Sequence, residues 1–184
     1  MMLFEAGATD MPELKLALVQ PEFAKDYWRI VDSERDDLRQ WLAWPDKAKD
    51  EQFFKDFVRR SLHDYADGKS LTCAMIYQGK VVGNVSLNTI DHQRGVAEVG
   101  YWLSREYRGK GIATHAVATL RDWAFNHYGL KKFQLSAAAE NQASRAVAER
   151  LGMTLEGIIT RAEALSEGRV VDHAVYGCFA TEKA

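Results

Sequence analysis

Glu98-Val99-Gly100-Tyr101-Trp102-Leu103, followed after four residues by Arg108-Gly109-Lys110-Gly111-Ile112-Ala113, is the stretch that decides how this chain folds. Apolar and aromatic side chains occupy both faces of the first run, as in a strand buried inside a sheet. The second run opens an amphipathic helix, in which Ala113, Ala116, Val117, Leu120 and Ala124 recur at the helical period until Gly129 stops it. The two glycines between strand and helix leave backbone N–H groups uncovered at a helix start, where the macrodipole is positive. Such a loop takes a phosphate-bearing ligand without a basic patch. Two other phosphate loops fail on spacing. A Walker loop needs four residues between its first glycine and its Gly-Lys-Ser/Thr, whereas Lys110 lies directly between two glycines. A dinucleotide fingerprint needs a small residue where Thr114 stands and an acidic residue near the basic pair Lys131-Lys132. A bare turn with no ligand is the remaining alternative, and the rest of the chain weighs against it.

The length of 184 residues corresponds to one domain with room for a substantial core. An apolar fraction of 47% and a charged fraction of 27% are the proportions of a soluble globular protein. A net charge of −2 leaves no electrostatic footprint for nucleic acid. No apolar run reaches membrane-spanning length, and the first residues lack the basic-then-apolar order of a secretory leader, so a cytoplasmic protein without a membrane partner is expected. Residues 1–11 read poorly as structure and are set apart as an N-terminal extension, native or added, leaving 12–184 as a single domain. Cys73 and Cys178 stand far apart in apolar strand patterns; reduced, buried thiols are expected, with neither a disulfide framework nor a zinc site. The histidines 63, 92, 115, 127 and 173 show no metal-ligand spacing, and surface or core roles are expected for all of them. His92, after Asp91, is kept as a reserve base.

Along the chain, Leu14 to Val19 reads as a first strand and Pro21 opens a helix through Tyr27 and Val31. A second helical region carries Leu38, Trp41 and Leu42 and is interrupted by Pro45; Asp50 to Tyr65 resumes it. Leu71 to Tyr77 and Val81 to Ile90 form a hairpin around Gln78-Gly79-Lys80, and Val96 to Ser104 is the next strand. After the helix from Gly111 to His127 come a strand from Lys132 to Ala139, a helix from Asn141 to Leu151, and a closing hairpin of 153–160 and 169–179. The order predicts a mixed α/β layer architecture with a mostly antiparallel sheet flanked by helices.

Three groups of residues could carry chemistry. Alternation puts Val96, Glu98, Gly100 and Trp102 on one face of their strand. A carboxylate in the middle of an apolar strand is costly unless it meets water or a partner in a cleft, so Glu98 is either a general base or one half of a buried ion pair. Gly100, lacking a side chain, would let a ligand approach the backbone. Asn141 directly precedes a helix and is an N-cap by default; Ser144, in the first turn, either shares in capping or serves the chemistry. Trp41 and Trp44 bracket a helix break and belong either to the core or to a recognition surface. No Cys, Ser or Lys sits in a nucleophile motif, which disfavours a covalent acyl-enzyme.

The Arg-Gly-x-Gly-x-Ala loop at its strand-to-helix junction, together with the order of elements outside the N-terminal extension, resembles the GNAT acyltransferases. The Asn141-x-x-Ser144 pair and the Trp41-Leu42-x-Trp44-Pro45 run are similar to the RimJ/RimL-like branch, which acetylates ribosomal-protein N-termini. The resemblance implies a GNAT-like fold and acetyl-CoA as co-substrate, with no metal. It implies that Arg108, Gly109, Lys110, Gly111, Ile112, Ala113 and Thr114 hold the pyrophosphate. It further implies that the strand edge at Tyr101, Trp102 and Leu103, with Asn141, receives the pantetheine arm. By the same resemblance Ser144 lies near the thioester sulfur, and Trp41 and Trp44 line the acceptor side. The expected reaction is direct transfer of an acetyl group to an amine, the N-terminal α-amine of a ribosomal protein being preferred. Acetylation of a small-molecule amine, and a non-catalytic CoA-binding module, are the alternatives. The last hairpin can pair across a homodimer, although nothing in the sequence requires it.

Overall fold

In the computed structural model, which describes residues 5–8 and 10–181, the run opening at Val96 is a central strand with helices on both sides. The strands are β1 (Glu5–Ala8), β2 (Met11–Leu18), β3 (Leu71–Tyr77), β4 (Lys80–Asp91), β5 (Val96–Leu103), β6 (Lys132–Ala138), β7 (Thr154–Ala164) and β8 (Val170–Phe179). The helices are α1 (Ala24–Leu38), α2 (Glu51–Ala66), α3 (Ile112–His127) and α4 (Gln142–Arg150). One sheet of eight strands has the order β1-β2-β3-β4-β5-β6-β8-β7. Every neighbouring pair is antiparallel except β5 and β6. That single parallel pair follows from chain order, because α3 carries the chain back across the sheet between them.

The alternation expected for β5 divides the core. Ala97, Val99 and Leu103 face Ile112, Ala116, Val117 and Leu120 of α3. Trp102 points the other way, into a cluster with Tyr27 and Val31 of α1 and Phe54 and Val58 of α2. The sheet is thus covered by α3 and α4 on one face and by α1 and α2 on the other.

Three expectations need correction. Glu5–Ala8, inside the segment set apart as structureless, pairs with β2, Ala6 opposite Leu16; residues 1–4 and 9 lie outside the described residues. Trp41 and Leu42 are not helical, because α1 ends at Leu38. The helical spacing there is accidental: Trp41 turns away from the helix to pack against Ala138, Leu165 and Val171 across the sheet. The closing hairpin is longer than its apolar pattern, since β7 runs on to Ala164 through a register shift between Ile159 and Glu163. As the sheet's outer edge, β7 leaves Leu155, Ile158 and Ile159 exposed. No helix among the described residues is long and apolar enough to cross a membrane.

Candidate active site

Parallel pairing between β5 and β6 begins at Val96↔Lys132 and ends at Val99↔Leu135. Beyond that point both strands continue, and the gap between them opens into a cleft of about 1230 Å³. Ladder parity identifies the groups that face the gap. Ser104 N–H donates to Val82 C=O on β4 at 2.8 Å, so Trp102 faces β4 as well, while Tyr101 and Leu103 turn their backbone groups into the gap. Consistent with this, Leu103 C=O accepts from the Arg108 guanidinium at 3.3 Å. Unpaired peptide groups at such a splay can pair with an extended amide-bearing ligand or meet a developing oxyanion.

At the rim of this gap the glycine loop reaches α3. Gly109 (φ 74°) and Gly111 (φ 78°) are both left-handed, a conformation that side-chain-bearing residues seldom adopt. Gly111 is the N-cap of α3 and supplies no side-chain cap, so the N–H groups of Ile112, Ala113 and Thr114 are left for a ligand. The cations of the loop are otherwise engaged. Arg108 binds Asp37 of α1 through both of its terminal nitrogens, one at 3.1 Å. Lys110 lies 5.0 Å over the Tyr107 ring and, alone among the expected site residues, does not line the cleft.

On the α3–α4 face, Asn141 accepts the Ser144 N–H at 3.1 Å and so caps α4 as expected. The Ser144 hydroxyl does not cap. It lies 3.0 Å from the Tyr101 phenol, and both side chains line the cleft. Burial raises the Tyr101 pKa above 10.0, a rise only partly countered by the Ser144 hydrogen bond and the Arg150 charge. The phenol therefore stays protonated and remains a donor at neutral pH.

The opposite face carries Glu98. It is half-buried, lines the cleft, and has neither an ion pair nor a hydrogen bond to its carboxylate among the described residues. The buried-ion-pair alternative therefore fails. Its neighbour Gly100 has a different reason from the one expected. A Cβ there would lie 2.4 Å from the Asn88 amide nitrogen, so the space belongs to Asn88 rather than to a ligand. The bulge of β4 between Leu87 and Thr89 puts Asn88 over β5, where Ser86 Oγ donates to Asn88 Oδ1 at 2.6 Å.

The outer wall on this side is aromatic. Trp44 stacks near Phe53 (centroids 6.3 Å apart) and meets Trp102 at 6.0 Å, and Trp41 lies under the Arg169 guanidinium at 5.1 Å. Trp41 and Trp44 both line the cleft, as do Phe53 and Phe57. His92 is not part of it: its Nε2 meets Gly68 C=O at 2.8 Å and braces a turn. No group of ligating residues that could hold a metal is found among the described residues.

A strand pair opening onto an uncapped glycine-rich helix start, with a carboxylate on one face and a hydroxyl pair on the other, agrees with what known proteins show. The family model described as the acetyltransferase (GNAT) domain matches residues 7–154. The chain belongs to the GNAT acetyltransferase family. It is similar to the ribosomal-protein-serine acetyltransferase of Escherichia coli strain K12, 27% identical over 84% of this chain and 86% of that one. It is similar also to the spermidine N(1)-acetyltransferase of the same strain, 28% identical over 80% of this chain and 77% of that one. Among solved structures, the microcin C7 self-immunity acetyltransferase MccE in complex with acetyl-CoA and AMP superposes with a TM-score of 0.88 at 29% identity, covering 95% of this chain and 96% of that one.

For a GNAT acetyltransferase, with acetyl-CoA as its co-substrate, several positioning residues escaped the sequence reading. Glu34 of α1, only 8% exposed, accepts from Ser104 Oγ at 2.7 Å and from Arg105 N–H at 2.8 Å, tying α1 to the start of the glycine loop. Its non-helical backbone (φ −123°, ψ 20°) kinks α1 at that contact. A charged residue on an amphipathic helix gives no hint of such a role. Tyr101 was read for its backbone, and its phenol was missed because the partner lies 43 residues away. His92 was kept as the reserve base, whereas the histidines that line the cleft are His115 and His173.

Proposed function

We propose that this acetyltransferase passes the acetyl group of acetyl-CoA directly to a protein N-terminal α-amine, most favourably that of a ribosomal protein. One observation carries the reading. Glu98 and the Ser144–Tyr101 pair reach the same gap from opposite faces of one splayed strand, so acceptor and thioester can approach from opposite sides. In this account the glycine loop takes the pyrophosphate on the N–H groups of residues 112–114, Asn141 holds the α4 end against the arm, and Tyr101 and Leu103 offer backbone pairing to the pantetheine amides. The amine nitrogen attacks the thioester carbonyl carbon and gives its proton to Glu98, directly or through one water. A backbone N–H of β5 meets the oxyanion, and collapse breaks the carbon–sulfur bond. Ser144 then protonates the departing thiolate, the Tyr101 phenol resupplies Ser144, and a water of the open cleft returns the proton to Tyr101. Much of the rate comes from orientation in a ternary complex.

An α-amine suits a lone carboxylate base, because its pKa near 7.7–8.0 leaves far less to remove than the value near 10.4 of a lysine. The aromatic wall of Trp41 and Trp44 fits a chain end laid along apolar surface. The similarity to a ribosomal-protein-serine acetyltransferase supports the ribosomal acceptor, and the similarity to a spermidine acetyltransferase supports a second reading, a polyamine. Incubation with labelled acetyl-CoA and a ribosomal extract, followed by peptide mapping, separates them. Label on N-terminal residues supports the proposal. Label confined to internal lysines or to soluble small amines refutes it.

A further inference from the structure

Far from Glu98, on the β7–β8 wall of the cleft, His173 and Glu163 form a second pair of titratable groups. His173 Nε2 lies 3.1 Å from Glu163 Oε2, and both residues line the cleft. The His173 side chain is 20% exposed and that of Glu163 39%. The position of Glu163 depends on an irregularity. Between Ile159, opposite His173, and Glu163, opposite Val171, the edge strand carries extra residues. Arg161 within that bulge adopts a left-handed backbone (φ 51°) while its N–H donates to Asp172 Oδ1 at 2.7 Å. A non-glycine residue in that region costs free energy, and bulges of this kind re-aim side chains beside active sites. An ordinary exposed ion pair, worth little by itself, would not account for it.

Register places this pair on the acceptor side. Glu98 is opposite Gln134, and His173 is opposite Ala138. Gln134 and Ala138 share a face of β6, so Glu98 and His173 share a face of the sheet. Four residues along β6 correspond to about 13 Å at roughly 3.3 Å per residue, and β5 and β8 flank β6, about 10 Å apart at roughly 4.8 Å per strand, so the two positions are about 16 Å apart, too far for both groups to serve one amine. Of the neighbouring cations, Arg169 is engaged with Glu140 at 3.0 Å and Arg39 with Glu167, while the Arg161 guanidinium on β7 has no ion pair among the described residues. Of the other charged groups lining the cleft, Arg108 is paired with Asp37, and Arg60 stands on α2, with Arg150 and His115 on the α3–α4 side. With Nε2–H assigned as the donor to Glu163 Oε2, Glu163 Oε1 has no hydrogen bond among the described residues.

We propose that Glu163, positioned by His173, binds a second positively charged group of the acceptor, about 16 Å across the cleft from the amine that Glu98 serves. The acceptor is therefore an elongated molecule with two nitrogen centres, and the inference rests on reading this cleft as the acceptor site. In an extended peptide the second charge falls at about the sixth residue.

The test uses short peptides with a free N-terminus and one arginine moved along the chain, with release of CoA thiol as the readout. In the wild-type enzyme KM should be lowest with the arginine near the sixth residue. Glu163→Gln should raise that KM about tenfold more than the KM for the arginine-free peptide, with kcat less affected. His173→Phe should behave similarly, and His173→Gln, which keeps an N–H donor, should restore most of the preference. Indifference of the wild type to arginine position, or an equal KM rise for all peptides in Glu163→Gln, overturns the proposal. If no peptide is acetylated, the N-terminal reading fails separately, and α,ω-diaminoalkanes of increasing length replace the peptides. A length-dependent KM that Glu163→Gln abolishes then supports the second-charge site, and its absence overturns it.

Discussion

Replacing Glu98 by Gln separates catalysis from stability more cleanly than any other change in this cleft. The carboxylate has no ion pair or hydrogen bond to lose among the described residues, and the amide is nearly isosteric. Stability should therefore move by no more than about 0.5 kcal/mol, a Tm change of about 1–2 °C in a chain of this size. Loss of the proposed general base should lower kcat by roughly 10²-fold or more, with little effect on the KM for acetyl-CoA. The pH profile then identifies the acceptor. An α-amine with pKa near 7.85 is about 12% neutral at pH 7 and about 60% neutral at pH 8, so the residual rate should rise about fivefold and then flatten. A lysine-like amine with pKa near 10.4 would instead give about tenfold per pH unit without levelling. Steady-state release of CoA thiol between neutral and mildly alkaline pH, with calorimetric melting of both proteins, provides the data. An unchanged kcat at neutral pH, or a Tm loss large enough to explain the lost activity, would refute the assignment of Glu98 as base.

Valine at Gly109 and Gly111, both left-handed, should abolish the heat of CoA binding in titration calorimetry while circular dichroism stays native; binding that survives would remove the loop from the pyrophosphate site. Ser144→Ala should lower kcat roughly tenfold and Tyr101→Phe by less, since in the proposed relay the phenol only resupplies the serine; the reverse order would make Tyr101 the acid. Glu34→Gln turns an amide N–H₂ toward a donor and removes one of two charge-assisted hydrogen bonds, costing about 2–3 kcal/mol. That corresponds to a Tm drop of about 4–12 °C, and because Arg105 opens the glycine loop, the KM for acetyl-CoA should rise with it. A normal Tm would show that the contact contributes nothing to stability.

The local rules of the chain determined a great deal before any tertiary contact was known. Alternation in 96–103 separated the Glu98 face from the Tyr101 face, because strand side chains must alternate whatever lies beyond them. The glycines at 109 and 111 marked the left-handed turn into α3, and Asn141 marked the cap of α4, since both depend on backbone geometry within a few residues. Contacts between residues far apart in sequence were of a different kind. That β5 and β6 part after Val99 depends on how two strands separated by a whole helix are held, and no single segment records it. The Asn88 amide over Gly100, the Glu34 anchor beneath the glycine loop and the Ser144–Tyr101 pair each join segments whose own patterns would be equally content elsewhere. Trp41 kept a helical spacing and yet left the helix, because apolar surface on Leu165 and Val171 outweighed local propensity. Glu163 looked like one more polar residue on an exposed edge strand. Only the bulge that carries it past His173 brought it to the cleft, for register is a property of two strands together and never of one.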